Sequence, residues 1–148
     1  MPLYPDTSGV VIQNIFLEVT TDASTNSAYV GGSPPTGYVT LLTTPIITQD
    51  GFLRIVWTAS ASNDVATCLC YFRLMVDGVL QKGMSVRVNA AATAHGVMVS
   101  SYTPIAAGTH TVAVEWCTTS GGTVRITTAT APGYDTRHGS CLIQEIQT

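Results

Sequence analysis

The stretch from Gly51 to Gly78, GFLRIVWTASASNDVATCLCYFRLMVDG, decides the fold. Its apolar residues recur at every second position. Leu53, Ile55 and Trp57 point one way and Arg54, Val56 and Thr58 the other. Farther on, Cys68, Cys70, Phe72, Leu74 and Val76 share a face opposite Leu69, Tyr71, Arg73 and Met75. Period-two patterning in runs rich in β-branched and aromatic residues specifies strands, because successive side chains leave a strand on opposite faces. A Ser/Asn/Asp loop joins the two runs, and Asp77-Gly78 supplies the positive φ of a tight hairpin turn. An arginine stands in the middle of each second face, Arg54 in one run and Arg73 in the other. Each strand is therefore expected to bury one face in a core and to leave the other partly covered.

The same grammar extends in both directions. Strands are expected over Val10–Thr20, over Tyr38–Thr43 and Pro45–Thr48 as a pair or one kinked strand, and over Val79–Gly83 and Met84–Val88. Gly83, between these last two, reads as a bulge or tight turn. Gly96–Tyr102, His110–Cys117, Thr123–Thr128 and Ser140–Ile146 follow, separated by turn signals at Ala107-Gly108 and Ser120-Gly121-Gly122. No segment has helical spacing. About eight to ten short strands at this spacing define an all-β fold, an antiparallel jelly-roll sandwich or barrel. Residues 1–9, with Pro2, Pro5 and Gly9, read as an extended N-terminal arm, and residues 10–148 as a single domain. Within that domain, residues 21–37 form a long polar loop carrying Gly31-Gly32 and Pro34-Pro35. A loop of that length is either disordered or functional and pinned by a partner. Thr130–Gly139 is a second long loop.

Composition narrows the function. The 148 residues suffice for a real core, and only 10% are charged while 45% are hydrophobic. Low charge leaves sheet faces and edges poorly protected against association, which favours an oligomer or a subunit of a larger assembly; solvated strands carrying many scattered threonines are the alternative. The net charge of −3, with Lys82 the sole lysine and five scattered arginines, argues against a nucleic-acid partner. No apolar run approaches a membrane helix, so no membrane partner is expected. The opening MPLYPDTSGV has neither a basic start nor an apolar core; the reading is a chain made in a host cytoplasm without a signal peptide. The four cysteines, Cys68, Cys70, Cys117 and Cys141, are accordingly expected to be buried, reduced and structural.

No catalytic constellation is legible. The histidines and cysteines offer no metal-ligand spacing beyond Cys68-x-Cys70, no serine lies in a nucleophile elbow, and the nine acidic residues are dispersed. The reading is a protein that is not an enzyme and has no cofactor. Aromatic residues are the better candidates for recognition. Tyr29, Tyr38, Tyr102 and Tyr134 fall in or beside loops, where a sugar or a protein partner could stack on them or where they pack the rim of the sandwich or a subunit interface. Tyr4, between the stiffening Pro2 and Pro5, reads as an anchor. The partner-binding candidates are Pro2, Leu3, Tyr4 and Pro5 of the arm, Tyr29, Pro34 and Pro35 of the first long loop, and Tyr134 of the second.

In order, FLRIVWTASAS, YFRLMVDGVL, VSSYTPIAAGTHTVAVEWCTTSGGTVRI and SCLIQEI resemble the jelly-roll domains of tumour-necrosis-factor and complement-globular-head type found in bacteriophage virion proteins. The matching residues are Phe72, Arg73, Leu74, Val76, Asp77 and Gly78, then Ala106, Ala107, Gly108, His110, Thr111, Val112, Val114 and Trp116. The likeness runs from Leu53 to Ile146. It implies a homotrimer located on a virion. It also implies that the partners are the major capsid protein or other virion subunits, as in a capsid decoration protein. A tail-fibre or receptor-binding tip, or a carbohydrate-binding or adhesion module, is the alternative. The resemblance transfers no catalytic residue.

Overall fold

A computed structural model describes residues 9–126 and 139–147. The arm residues Pro2, Leu3, Tyr4 and Pro5, and Tyr134 of the second long loop, lie outside the described residues. The described chain forms ten strands: β1 (Val10–Glu18), β2 (Ala23–Thr25), β3 (Val39–Thr48), β4 (Gly51–Asn63), β5 (Leu69–Val76), β6 (Val79–Arg87), β7 (His95–Ile105), β8 (Gly108–Thr118), β9 (Val124–Ile126) and β10 (Gly139–Gln147).

Two antiparallel sheets face each other. In the first, β4 is flanked by β10 and β7, and β10 by β1; the short β9 pairs with Ser62 and Asn63 at the end of β4, and β2 pairs with β9. The second sheet has the order β3-β8-β5-β6. Setting aside the short β2 and β9, each sheet interleaves strands from the beginning and the end of the chain. This is the double Greek key of a jelly roll.

The core is what period-two alternation dictates. Leu53, Ile55 and Trp57 of β4 meet Cys70, Phe72 and Leu74 of β5 and Val112, Val114 and Trp116 of β8, all buried. Phe72 sits between the indoles, its ring centroid 6.1 Å from that of Trp57 and 6.0 Å from that of Trp116. The turn at Asp77-Gly78 has positive φ at both residues, 50° and 76°, so the twist of the turn matches that of strands β5 and β6.

Three details differ from the sequence reading. Strand β4 runs on through Ser60–Asn63, because Ala61 and Asn63 continue its inward face and both are buried. Residues 39–48 form one strand, with the irregularity between Thr40 and Leu42 and not at Pro45. Gly83 is neither bulge nor turn: it pairs directly with Arg73, and the register shift falls beside it, where Leu74 pairs Lys82 and Met75 pairs Leu80.

The first long loop is tied to its own domain. Strand β2 pairs with β9, and Ser27 and Tyr29 exchange backbone hydrogen bonds with Thr118 at the end of β8. Val30 and Thr36 exchange two more across the Gly/Pro stretch, whose Ser33-Pro34 peptide is cis. The polar composition of residues 21–37 hid this, since backbone pairing leaves no trace in side-chain pattern.

Candidate functional site

The two sheets turn very different outer faces to solvent. On the second, alternation sends Tyr71 and Arg73 of β5 outward, and the first long loop folds over them. Tyr29 stacks on Tyr71 with centroids 4.4 Å apart and planes 11° apart, and meets Tyr38 edge-on at 6.1 Å. The Arg73 guanidinium lies 4.0 Å from the centroid of the Tyr38 ring. Its Nε donates to Glu115 Oε2 at 2.6 Å, and its Nη1 donates to the Pro35 carbonyl at 3.0 Å. One arginine thus ties the loop, β5 and β8 together, through charge, a hydrogen bond and a ring face.

Beside this cluster lies a cleft of about 230 Å³, walled by Tyr29, Tyr38, Tyr71, Arg73 and Pro35 and closed on the other side by β6 at Gly83 and Ser85. Burial is the main cause that pushes the Tyr38 phenol up to about 12, so it remains a hydrogen-bond donor at any physiological pH. Cys117, which pairs with Tyr71 on the same outward side, is fully buried, and that burial raises its thiol to about 12. Burial likewise raises Cys70 to about 11 and Cys141 to about 12. These thiols are packing groups that stay protonated, as the sequence suggested.

Of the sequence-named residues, Tyr29, Tyr38 and Pro35 reach the cleft. Pro34 is exposed beside it. Sequence reasoning missed Tyr71, Arg73 and Gly83 as site residues. Alternation already put Tyr71 and Arg73 outward, but nothing in the pattern said that a distant loop would settle on them.

The first sheet presents an open face. Directly paired residues share a side of a sheet, so register defines four rows across β1, β10, β4 and β7. They are Glu18–Ser140–Thr58–Met98, Phe16–Leu142–Val56–Ser100, Asn14–Gln144–Arg54–Tyr102 and Val11–Ile146–Phe52–Pro104. Only Glu18 and Arg54 among them are charged. Phe16 is 56% exposed, Met98 66% and Tyr102 53%, with Tyr102 stacked on Phe52 at 4.9 Å. A polar seam crosses the middle: Gln144 donates to Asn14 at 2.9 Å and accepts from Arg54 at 3.5 Å.

At one end of the sandwich, His110 Nδ1 lies 2.6 Å from Asp77 Oδ2 and Nε2 3.0 Å from the Ala106 carbonyl. Asp77 Oδ1 also accepts from the Thr111 amide at 2.8 Å. Both ring nitrogens face acceptors, so the doubly protonated imidazolium fits. The Asp77 contact, ahead of the Ala106 one, raises the His110 pKa, and the His110 contact lowers that of Asp77. Among the described residues, no group of three or more His, Cys, Asp or Glu side chains is placed to hold a metal ion.

The fold and faces define a jelly-roll β-sandwich with one sparsely charged, open sheet face and one aromatic cleft. No protein-family model and no curated protein matches the chain. Among solved structures, the chain is similar to dimeric latent PorU from Porphyromonas gingivalis, with a TM-score of 0.51 at 10% identity, over 91% of this chain and 13% of that one. The VP2 subviral particle of infectious bursal disease virus matches with a TM-score of 0.46 at 15% identity, over 92% of this chain and 37% of that one. The sugar-binding C-terminal domain of EclA gives 0.39 at 13% identity, over 99% and 82%. The chain thus spans only a fraction of PorU and of VP2. At these identities the PorU likeness is one of fold.

Proposed function

We propose that this chain is a self-associating, non-catalytic subunit with a structural or adhesive role in a virus particle, built as a homotrimer whose subunits meet through the outer face of the first sheet. The observation that carries this is the four-row face itself. At the usual strand spacing and rise it covers roughly 500 Å², and nine of its sixteen residues are apolar, with Glu18 and Arg54 the two charged ones. Shared between two neighbours in a trimer, a face of that size gives contacts at the small end of the range for specific interfaces, so the assembly rests on all three contacts together. The central Asn14–Gln144–Arg54 seam gives the interface polar partners that fix its register. The virion placement, with the capsid or other virion subunits as partners, rests on the sequence resemblance to phage jelly-roll proteins, and capsid decoration is the form of it proposed here.

Light scattering on the purified chain tests the assembly. A trimer of about 47 kDa, three times the 15.6 kDa chain, is expected. Co-sedimentation with empty phage capsids tests the decoration role, and a trimer that stays in the supernatant speaks for an adhesive subunit instead.

A further inference from the structure

We infer that the cleft over β5 and β6 is a sugar site that takes a single hexopyranose ring against its tyrosine wall. At about 230 Å³ it is smaller than the ~300–1,000 Å³ of pockets that enclose a drug-sized ligand, which is the scale of one sugar ring. Its wall combines the two surfaces a pyranose needs. The half-buried rings of Tyr29, Tyr38 and Tyr71 offer aromatic area to the C–H face of the sugar. Arg73, already oriented by Glu115 and the Pro35 carbonyl, and the Ser85 hydroxyl supply directional partners for its hydroxyls.

Gly83 is the independent observation. A mid-strand glycine weakens a strand and commonly marks a place where a ligand or another backbone comes close. Here the backbone has no need of glycine: φ is not in the left-handed region, and an added Cβ would meet only ordinary contacts, 3.5 Å to the Phe72 carbonyl and 3.8 Å to the Arg73 Cβ. Among the described residues no backbone segment approaches it more closely. Its missing side chain is what opens the cleft between Arg73, its direct partner across the strands, and Ser85. A proline-rich peptide would need a longer groove than one cleft of this size.

The site lies on the sheet opposite the proposed trimer face, so the two readings fail separately. The test is saturation-transfer NMR of the full chain with the methyl pyranosides of galactose, glucose and mannose at up to 20 mM. At least one is expected to bind with a millimolar dissociation constant, as befits a ligand of this size, and to receive saturation at its ring C–H protons. Gly83→Val and, separately, Ser85→Trp fill the cleft from β6 and are expected to weaken that binding at least tenfold without lowering the melting temperature or changing the oligomer mass. No binding by any of the three sugars overturns the inference. Binding that survives both substitutions overturns it too, as does a decaproline peptide that binds the cleft where the sugars do not.

Discussion

The outer faces of the two sheets rest on one core and each carries an arginine at its centre, yet the two arginines live in different worlds. Arg73 is clamped between a carboxylate, a carbonyl and a ring, with its side chain 14% exposed. Arg54 is exposed, and among the described residues its hydrogen-bond partner is Gln144, at 3.5 Å. The cause is local. A loop folds over the second face and covers it, whereas among the described residues nothing folds over the first. Alternation of apolar and polar residues fixes which side of a strand is the core; it does not fix which of the outer sides the chain itself will cover.

The comparison breaks entirely if the shared core goes. Phe72→Ala empties the space between the two indoles and should cost about 3–5 kcal/mol, seen as a large loss in urea-unfolding midpoint and of both faces together. Next come the arginines. Arg73→Ala leaves Glu115 half-buried without its partner and unties the loop, which should cost about 1–3 kcal/mol. Arg54→Ala should stay within about 0.5 kcal/mol, as for other exposed substitutions. Equal effects at the two positions would mean that the loop does not hold Arg73 as described.

A smaller effect is expected from the end of the sandwich, which belongs to neither outer face. Because the His110 pKa is raised, its contribution is fully present below the unfolded value near 6.5 and is lost as pH rises through the folded value. Because the Asp77 pKa is lowered, its contribution is present above about 3.8 and is lost as pH falls through the folded value. The pair therefore stabilises most between roughly pH 4 and 6.5. The melting temperature of His110→Gln should fall below that of the native chain in this window and approach it as pH rises through the raised folded pKa of His110. The pair is exposed enough for solvent to keep the difference small.

Much of this was legible in the sequence. The inward faces of β4, β5 and β8 follow from alternation, and the Asp77-Gly78 turn from its residue types. The four cysteines behave as buried packing groups. What escaped was long-range and carried by backbone. Residues 21–37 looked like a loose loop because their ties to Thr118 and to β9 are main-chain hydrogen bonds. The Tyr29–Tyr71 stack joins residues with no shared period, and Gly83 looked like a bulge because a strand glycine has no side chain to reveal what it leaves open.

The central claim is that the first sheet's outer face holds copies of this chain together. Its most direct test is the solution mass of the native chain beside that of Leu142→Lys, a change at the middle of the four-row face, where the side chain is half-buried. A native trimer of about 47 kDa that becomes a folded 15.6 kDa monomer on substitution is the predicted result. A native chain that is monomeric at every concentration, or a trimer that the lysine leaves intact, would contradict it.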